Sequence, residues 1–348
     1  MWWLSWAAAP YEMATRLRAY GYERGWLAQR HLPVPVISIG NLTVGGTGKT
    51  PLVIQITEWL LEAGRRVAVL SRGYRRTSRE PLLLVSDGAR IVATAEEAGD
   101  EAFLIAQRCP RAVVAVGADR YLLGRHVLET CGVDCIVLDD GFQHLGVHRD
   151  VNLLLVDATD AHGLKRLLPA GRLREPITAA KRATGVIVTR AENPNHVDDI
   201  LKQLRSAVDP LPMTAQVVFR AAQVVSVATG DHRSSEWCKG KSALLVSGVG
   251  HAASFRSTAE ELGVTVLGEV VYSDHYIYSG GDVGTLRERA AERNAEVVLT
   301  TEKDATKIRP YLAPGDASWW APRLRVEWRT GEPAMRKMIL DARPATGR

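Results

Sequence analysis

Ser38-Ile39-Gly40-Asn41-Leu42-Thr43-Val44-Gly45-Gly46-Thr47-Gly48-Lys49-Thr50-Pro51 decides how this chain folds. An apolar run, Val34 to Ile39, leads into it and reads as a buried strand. Leu52 to Leu61 follows, with apolar residues at helical spacing. Strand, glycine-rich turn, Gly-Lys-Thr and helix is the layout of a phosphate-binding loop. Without side chains at Gly45, Gly46 and Gly48, backbone N–H groups can close around phosphate oxygens at the positive end of the helix. Thr43, Val44, Gly45, Gly46, Thr47, Gly48, Lys49 and Thr50 are therefore the expected nucleotide contacts. Lys49 reaches the β- and γ-phosphates, and the Thr50 hydroxyl ligates Mg²⁺. The usual pattern starts with a glycine where this chain has Thr43.

Working outward, Arg66 to Ser71 is a second apolar strand that ends in Ser71-Arg72-Gly73-Tyr74-Arg75-Arg76. Arginines at the C-terminal end of a strand lie where open α/β sheets bind ligands, and Arg72 suits a phosphate contact. A hairpin is expected over Leu82 to Val92, and Glu96 to Glu101 opens a helix that runs to Arg108. Val113 to Gly117 is a strand, and Asp119-Arg120 opens a helix through Glu129. The next strand, Asp134 to Asp140, ends in two acids, as a P-loop protein does to bring a carboxylate beside Mg²⁺. His144 then reads either as a structural hydrogen-bonding histidine or as a site residue. Val151 to Asp157 and Gly185 to Arg190 complete a series of strands alternating with helices. That alternation predicts an α/β fold, a mostly parallel, doubly wound sheet of the P-loop nucleoside-triphosphatase type.

The character of the chain changes at Asp209-Pro210-Leu211-Pro212. Residues 31–212 are the expected P-loop domain, and 213–240 a β-linker of two short segments interrupted at Arg220. Residues 241–322 form a second, smaller α/β domain, and 323–348 a return strand and a closing helix. Residues 1–30 form an N-terminal amphipathic segment. Its first nine residues fall well short of the roughly 20 that span a bilayer and lack the basic start of a secretory signal. Trp2, Trp3 and Trp6, followed by Arg16, Arg18, Arg24 and Arg30, give two readings: a membrane-interfacial segment, or a helix docked on the protein's own core.

With 348 residues, 46% of them hydrophobic, the chain can build two cores. A net charge of +5 suits an anionic partner without choosing among nucleotide, lipid surface and nucleic acid. Cys109, Cys131, Cys135 and Cys238 lack the paired spacing of a zinc site or a disulfide framework and read as free thiols.

Three classes of nucleoside-triphosphatase compete for these motifs. A partner-regulated switch ATPase of the deviant P-loop type carries a signature lysine before the paired glycines, where this chain has Val44. A GTPase reads its base with Asn/Thr-Lys-x-Asp. In Thr301-Glu302-Lys303-Asp304 the lysine comes one place late and the segment lies in the second domain, so that class is rejected. A small-molecule or lipid kinase needs a group that orients the acceptor hydroxyl, for which Asp100 and His275 are candidates.

Taken together, the motifs closely resemble the tetraacyldisaccharide 4'-kinases of lipid A biosynthesis. The resemblance rests on Gly40 to Pro51, Leu70-Ser71-Arg72-Gly73-Tyr74, Gly99-Asp100-Glu101 and Asp139-Asp140-Gly141-Phe142-Gln143-His144. Gly171-Arg172-Leu173-Arg174-Glu175-Pro176, Asp274-His275 and Thr301-Glu302-Lys303-Asp304 continue it in family order, from about Pro10 to Ala342. It also accounts for Thr43, since this family's loop lacks the first glycine. The chain departs from the family pattern at Gly248-Val249-Gly250-His251, and at Tyr276, where a second histidine is common.

The resemblance implies transfer of the ATP γ-phosphate to the 4'-hydroxyl of a tetraacylated glucosamine disaccharide 1-phosphate. It implies ATP with Mg²⁺ on the first domain and closure of the second over the reacting groups. It also implies a peripheral enzyme on the cytoplasmic face of the inner membrane, with neither nucleic acid nor an obligate protein partner. By motif, Lys49 and Thr50 hold phosphate and Mg²⁺, Asp139 and Asp140 serve the metal, and Asp100 acts as base with His275 paired to it. Arg72, Arg120, His144, Arg174 and Glu175 are the expected substrate-binding or supporting residues.

Overall fold

The computed structural model describes residues 3–250 and 252–345, with side chains from residue 8 onward. Trp2 and His251 lie outside the described residues, as do the side chains of Trp3 and Trp6. The chain opens with α1 (Trp3–Glu23), then β1 (Val36–Asn41), α2 (Lys49–Glu62), β2 (Val67–Ser71) and β3 (Leu82–Asp87). Next come α3 (Ala95–Ala98), α4 (Asp100–Arg108), β4 (Val113–Gly117), α5 (Arg120–Cys131), β5 (Cys135–Asp139) and β6 (Val151–Asp157). β7 (Gly185–Thr189), α6 (Pro194–Ala207), β8 (Met213–Ser226) and β9 (His232–Ser234) follow. The last third holds β10 (Ser242–Ser247), α7 (Ala252–Glu261), β11 (Thr265–Val271), α8 (Gly280–Glu292), β12 (Val297–Thr300) and α9 (Glu302–Ile308). β13 (Trp319–Thr330) and α10 (Glu332–Leu340) close the chain.

Among the described residues the strands form one sheet in the order β11-β10-β12-β13-β8-β7-β6-β1-β5-β2-β4-β3, with β9 on β8. β1 sits parallel between β5 and β6. Every residue of β1, β2, β4, β5, β6 and β7 is buried, because helices cover both faces, and the strands read as near-continuous apolar runs with few polar residues such as Ser38 and Asn152. The C-terminal ends of β1, β2 and β5 therefore meet on one edge, where Gly-Lys-Thr, Arg72 and the paired aspartates sit.

The interruption expected at Arg220 does not occur. Met213–Ser226 is one strand, and Arg220 pairs across it with Arg325 of β13. A charged residue breaks a strand only if its side chain must be buried, and the Arg220 guanidinium instead reaches Glu192 and Glu261 at 3.2 and 3.4 Å. The first part of β8 pairs in parallel with β7 and its length pairs antiparallel with β13, so the segment expected to be only a linker extends the sheet.

Two apolar clusters, one around Leu245 and Trp320 and one around Val246 and Trp319, fill the side of β8 and β13 away from the phosphate loop. β13 and α10 return to the first core, where Val326, Met335 and Ile339 pack with Ile37, Leu52 and Ile56. Trp59 and Trp328 stack there at 5.3 Å.

α1 contacts the protein's own body, as the second reading of the N-terminal segment expects. Tyr11 donates to the Arg174 carbonyl at 2.9 Å, Arg18 to the Gln143 carbonyl at 3.2 Å, and Glu23 pairs with Lys181 at 2.8 Å. Met13, Leu17 and Tyr20, at helical spacing on the same helix, remain exposed, as do Trp26 and Leu27 just beyond it. Among the described residues no helix is long and apolar enough to cross a membrane.

Candidate active site

The phosphate loop is held from outside by its carbonyl oxygens. Arg174 Nε donates to Thr43 O at 3.3 Å, Arg172 Nη2 to Val44 O at 2.8 Å, Arg190 Nη1 to Gly46 O at 3.1 Å and Thr189 Oγ1 to Thr47 O at 2.9 Å. With these carbonyls engaged outward and the Val44 N–H donated to Arg172 O at 2.8 Å, the N–H groups from Gly45 onward are the ones left for a ligand. Gly48 caps α2 in the left-handed region at φ 80°, and a Cβ there would lie 2.2 Å from the Phe219 ring. Only glycine meets both conditions.

Asn41, the last residue of β1, links the loop to the acidic strand end. Its Oδ1 accepts from Lys49 Nζ at 3.1 Å and Arg174 Nη2 at 2.8 Å. Lys49 Nζ lies 3.5 Å from Asp140 Oδ1, and Arg174 Nη1 lies 2.8 Å from Asp140 Oδ2. Burial pushes Asp140 up, but Lys49 and Arg174 outweigh it and hold the carboxyl below its usual range. Asp139 accepts from Ser71 Oγ at 2.9 Å. Its burial, with the negative charges of Glu101 and Asp140, pushes its carboxyl up to about 6.

That arrangement fits Mg²⁺ bound with phosphate. A buried carboxylate raised by two like-charged neighbours is stabilised by a cation. Asp140 Oδ1 is buried without a hydrogen-bond donor, and so is the Thr47 hydroxyl. Among the described residues no three His, Cys, Asp or Glu are spaced as a cage for a metal ion. Magnesium rarely uses such a cage: one or two carboxylates, substrate phosphates and water suffice.

Asp100, at the first turn of α4, meets His275 of the second half of the chain, with His275 Nδ1 3.0 Å from Oδ2 and 3.2 Å from Oδ1. Lys307 Nζ stands 3.6 Å from the same carboxylate and 3.0 Å from Asp304 Oδ1. Next to Asp100, Glu101 forms an ion pair with Lys303. Burial alone would push Asp100 up, yet the His275 hydrogen bond and the charges of Lys303, His275 and Lys307 bring it down to about 2. The same hydrogen bond raises His275 against its own burial. Tyr74 packs edge-on against His275 at 5.2 Å, and Arg75 Nη1 donates to Asp274 O at 2.8 Å. Arg75, Asp140, Arg190 and His275 all have positive φ, between 51° and 59°, so backbone strain is concentrated around this site.

The shifts set a pH dependence. Asp100 titrates below its ordinary 3.8, so its stabilisation is present above that pH and lost as pH falls toward 2. His275 titrates above its ordinary 6.5, so its stabilisation is complete below that pH and lost as pH rises through the raised value. The gap in melting temperature between wild type and His275→Gln is expected to be widest between pH 3.8 and 6.5 and to narrow on both sides. A gap that stays constant from pH 3 to 9 would count against the ion pair.

The other expected residues fall around this centre in different ways. Arg120 is buried at the first turn of α5, donating to the carbonyls of Gly117 and Ala118 at 3.0 and 3.1 Å, and the charges of Asp139 and Asp140 act on it. Arg72 is exposed, and its charge also acts on Arg120. Burial, then Arg120, pushes His144 down to about 4, so its imidazole is neutral near pH 7. Glu175 is buried with Oε2 taken by Arg182 at 2.6 Å and Gln143 at 3.2 Å. It braces the loop that holds Val44 and does not contact Asp139 or Asp140.

Sequence reasoning passed over Asn41, Ser71, Glu101, Lys303 and Lys307 as site residues. Asn41 carried a signal, since an amide at the end of a buried strand needs partners. Lys303 stood within the Thr301-Glu302-Lys303-Asp304 motif, but neither it nor Lys307 signalled its partner, which lies about two hundred residues away in the chain.

Comparison with known proteins places this geometry. A family model described as tetraacyldisaccharide-1-P 4'-kinase matches residues 1–343. A tetraacyldisaccharide 4'-kinase from Geobacter sulfurreducens is 39% identical over 306 residues, covering 88% of this chain and 84% of its own. One from an Anaeromyxobacter species (strain Fw109-5) is 40% identical over 328 residues, covering 94% and 87%. A crystal structure of LpxK from Aquifex aeolicus in complex with ATP superposes with a TM-score of 0.76 at 32% identity, covering 95% of this chain and 96% of that one.

Proposed function

This chain belongs to the tetraacyldisaccharide-1-P 4'-kinase family, a lipid A precursor kinase that uses ATP, and we propose how its own residues divide the work. Membership decides against the switch ATPase. Residues 31–212 serve as the nucleotide lobe and 241–322 as the acceptor lobe, with 213–240 and the returning segment 323–348 between them. The observation that carries the reading is the 3.0 Å contact between Asp100 of the first lobe and His275 of the second, beside the Lys49–Asp139–Asp140 centre.

The loop receives the phosphates on the N–H groups from Gly45 to Thr50, at the positive end of α2, while the Val44 N–H stays with Arg172 O. Thr50, Asp139 and Asp140 would hold Mg²⁺, which would supply charge neutralisation at the phosphoryl oxygens. Lys49, fixed by Asn41 and Asp140, places its ammonium on the transferred group. Asp100 stays ionised at any physiological pH. It accepts a hydrogen bond from the 4'-hydroxyl, turns its lone pair toward phosphorus and takes the proton late in the transfer. His275 fixes the carboxylate's orientation. Exposed Arg72 offers a positive charge suited to an anionic sugar, and buried Arg120 and neutral His144 support the site. Arg174 and Glu175 support the loop.

A tetraacylated substrate stays in the bilayer, so the enzyme has to reach it there. The exposed Met13, Leu17, Tyr20 and Trp26, with Arg16, Arg18 and Arg24 nearby, support docking of α1 on the cytoplasmic face of the inner membrane. A cleft of about 330 Å³ between α1 and residues 175–182, lined by Arg16, Tyr20, Lys181 and Arg182, opens on the same side. Deleting residues 1–9 is expected to reduce co-sedimentation with anionic vesicles severalfold, because Trp2, Trp3 and Trp6 are lost as interfacial anchors; unchanged sedimentation would take those three tryptophans out of the membrane contact. The test of the whole reading is thin-layer separation of the disaccharide 1-phosphate acceptor after incubation with labelled ATP. Label should enter the lipid, whereas ATP hydrolysis without lipid labelling would refute it.

A further inference from the structure

A motif rejected at 301–304 has a counterpart elsewhere in the chain. Thr189-Arg190-Ala191-Glu192 has the order of a base-reading Asn/Thr-Lys-x-Asp turn, with arginine for lysine and glutamate for aspartate. It begins at the C-terminal end of β7, two strands from β1, on the edge of the sheet that carries the phosphate loop. Its first two residues grip that loop: Thr189 Oγ1 donates to Thr47 O at 2.9 Å and Arg190 Nη1 to Gly46 O at 3.1 Å. Arg190 adopts φ 51° to do so, also pairs with Asp157, and lies over the Phe219 ring at 6.0 Å. Ala191 N donates to Val217 O at 3.1 Å, which anchors the turn to β8. Glu192 remains exposed, with Arg220 at 3.2 Å.

A nucleotide whose phosphates sit in the loop must lay its base against one of the loop's two walls. The wall at 172–174 offers arginines, whose guanidinium groups are already bound to Val44 O, Asp160, Asp140 and Asn41. Guanidinium groups donate and cannot accept from a base's amino group. The wall at 189–192 offers an exposed carboxylate, which accepts only, and the Phe219 ring beside Gly48 as an apolar face.

We propose that Thr189-Arg190-Ala191-Glu192 is the base-reading turn of the nucleotide site, with Glu192 accepting a hydrogen bond from the exocyclic amino group of adenine. Thr189 and Arg190 set the distance between phosphate loop and base, and Glu192 sets which base is held. This rests on the reading that residues 43–50 take the phosphates of ATP.

Calorimetric binding with Mg²⁺ and no lipid acceptor tests it with three probes: ATP, purine riboside triphosphate, which lacks the amino group, and inorganic tripolyphosphate. The wild type should bind ATP about tenfold more tightly than purine riboside triphosphate, the worth of a hydrogen bond to a charged group. Glu192→Ala should bring ATP down to the purine riboside level while leaving purine riboside triphosphate and tripolyphosphate unchanged. Glu192→Gln, which keeps a carbonyl acceptor, should restore most of the difference. Arg220→Ala removes the ion pair but not the carboxylate and should preserve discrimination. The proposal is overturned if Glu192→Ala binds ATP like wild type, if it weakens all three probes alike, or if Arg220→Ala reproduces its effect. Failure of the phosphate-loop reading looks different: tripolyphosphate would then not bind, or Lys49→Ala would not weaken it.

Discussion

Lys49→Ala lowers kcat by on the order of 10²–10³-fold, the scale found when one preorganised donor to transition-state charge is removed. The phosphoryl group in flight spreads negative charge over its equatorial oxygens, and Lys49 supplies a cation already in place. Two contacts fix it, Asn41 Oδ1 at 3.1 Å and Asp140 Oδ1 at 3.5 Å, so little reorganisation is needed at the moment of transfer. The loss should not come from unfolding. Asp140 keeps Arg174 at 2.8 Å in the variant, and Asn41 keeps the same arginine. A steady-state assay beside a thermal melt separates the two: activity collapses while the melting temperature moves by a few degrees at most. Turnover within a factor of three of wild type would remove Lys49 from the mechanism.

Asp100→Asn should cost roughly 10²–10⁴-fold in kcat with the ATP KM little changed, the range for a positioned general base. The amide keeps the shape of the carboxylate but cannot take the hydroxyl proton. The same change removes the anion that raises His275, so the imidazole should titrate nearer its ordinary 6.5, which NMR of the ring protons would register. His275→Gln should cost less, because it leaves the carboxylate in place and removes only its orienting partner. A pure KM effect in Asp100→Asn would assign that residue to binding. Being held at about 2 makes Asp100 a weak base in the ground state. It suits a loose transition state, in which the hydroxyl becomes strongly acidic only once the bond to phosphorus has begun to form.

Most of the nucleotide half of this molecule could be read from the chain in order, because its determinants are local. Gly45, Gly46 and Gly48 before Lys49 and Thr50, at the junction of an apolar strand and a helix, specify a phosphate loop within a dozen residues. Val36–Asn41 and Cys135–Asp139 announce themselves as buried parallel strands by largely apolar runs, and the acids that end the second fall beside the loop because β1 and β5 are neighbours. Asp100 and His275 were paired only through the family resemblance, since nothing in their spacing along the chain shows that they meet.

Tertiary structure decided the rest. The Arg220 strand break was misread because propensity over five residues competes poorly with a whole partner strand, and β13 supplies ten paired positions along β8. The contact of the Thr189 to Glu192 turn with the phosphate loop was not legible in the sequence, because its hydrogen bonds go to Gly46 and Thr47, more than a hundred and forty residues earlier. Local residue order sets turns, strands and the chemistry each loop can carry, since those depend on backbone sterics and nearby side chains. The electrostatics of Asp100 depends, besides its burial, on three groups from the far half: His275, Lys303 and Lys307. Coulomb interactions act through space and burial, so that balance existed only once the two halves met.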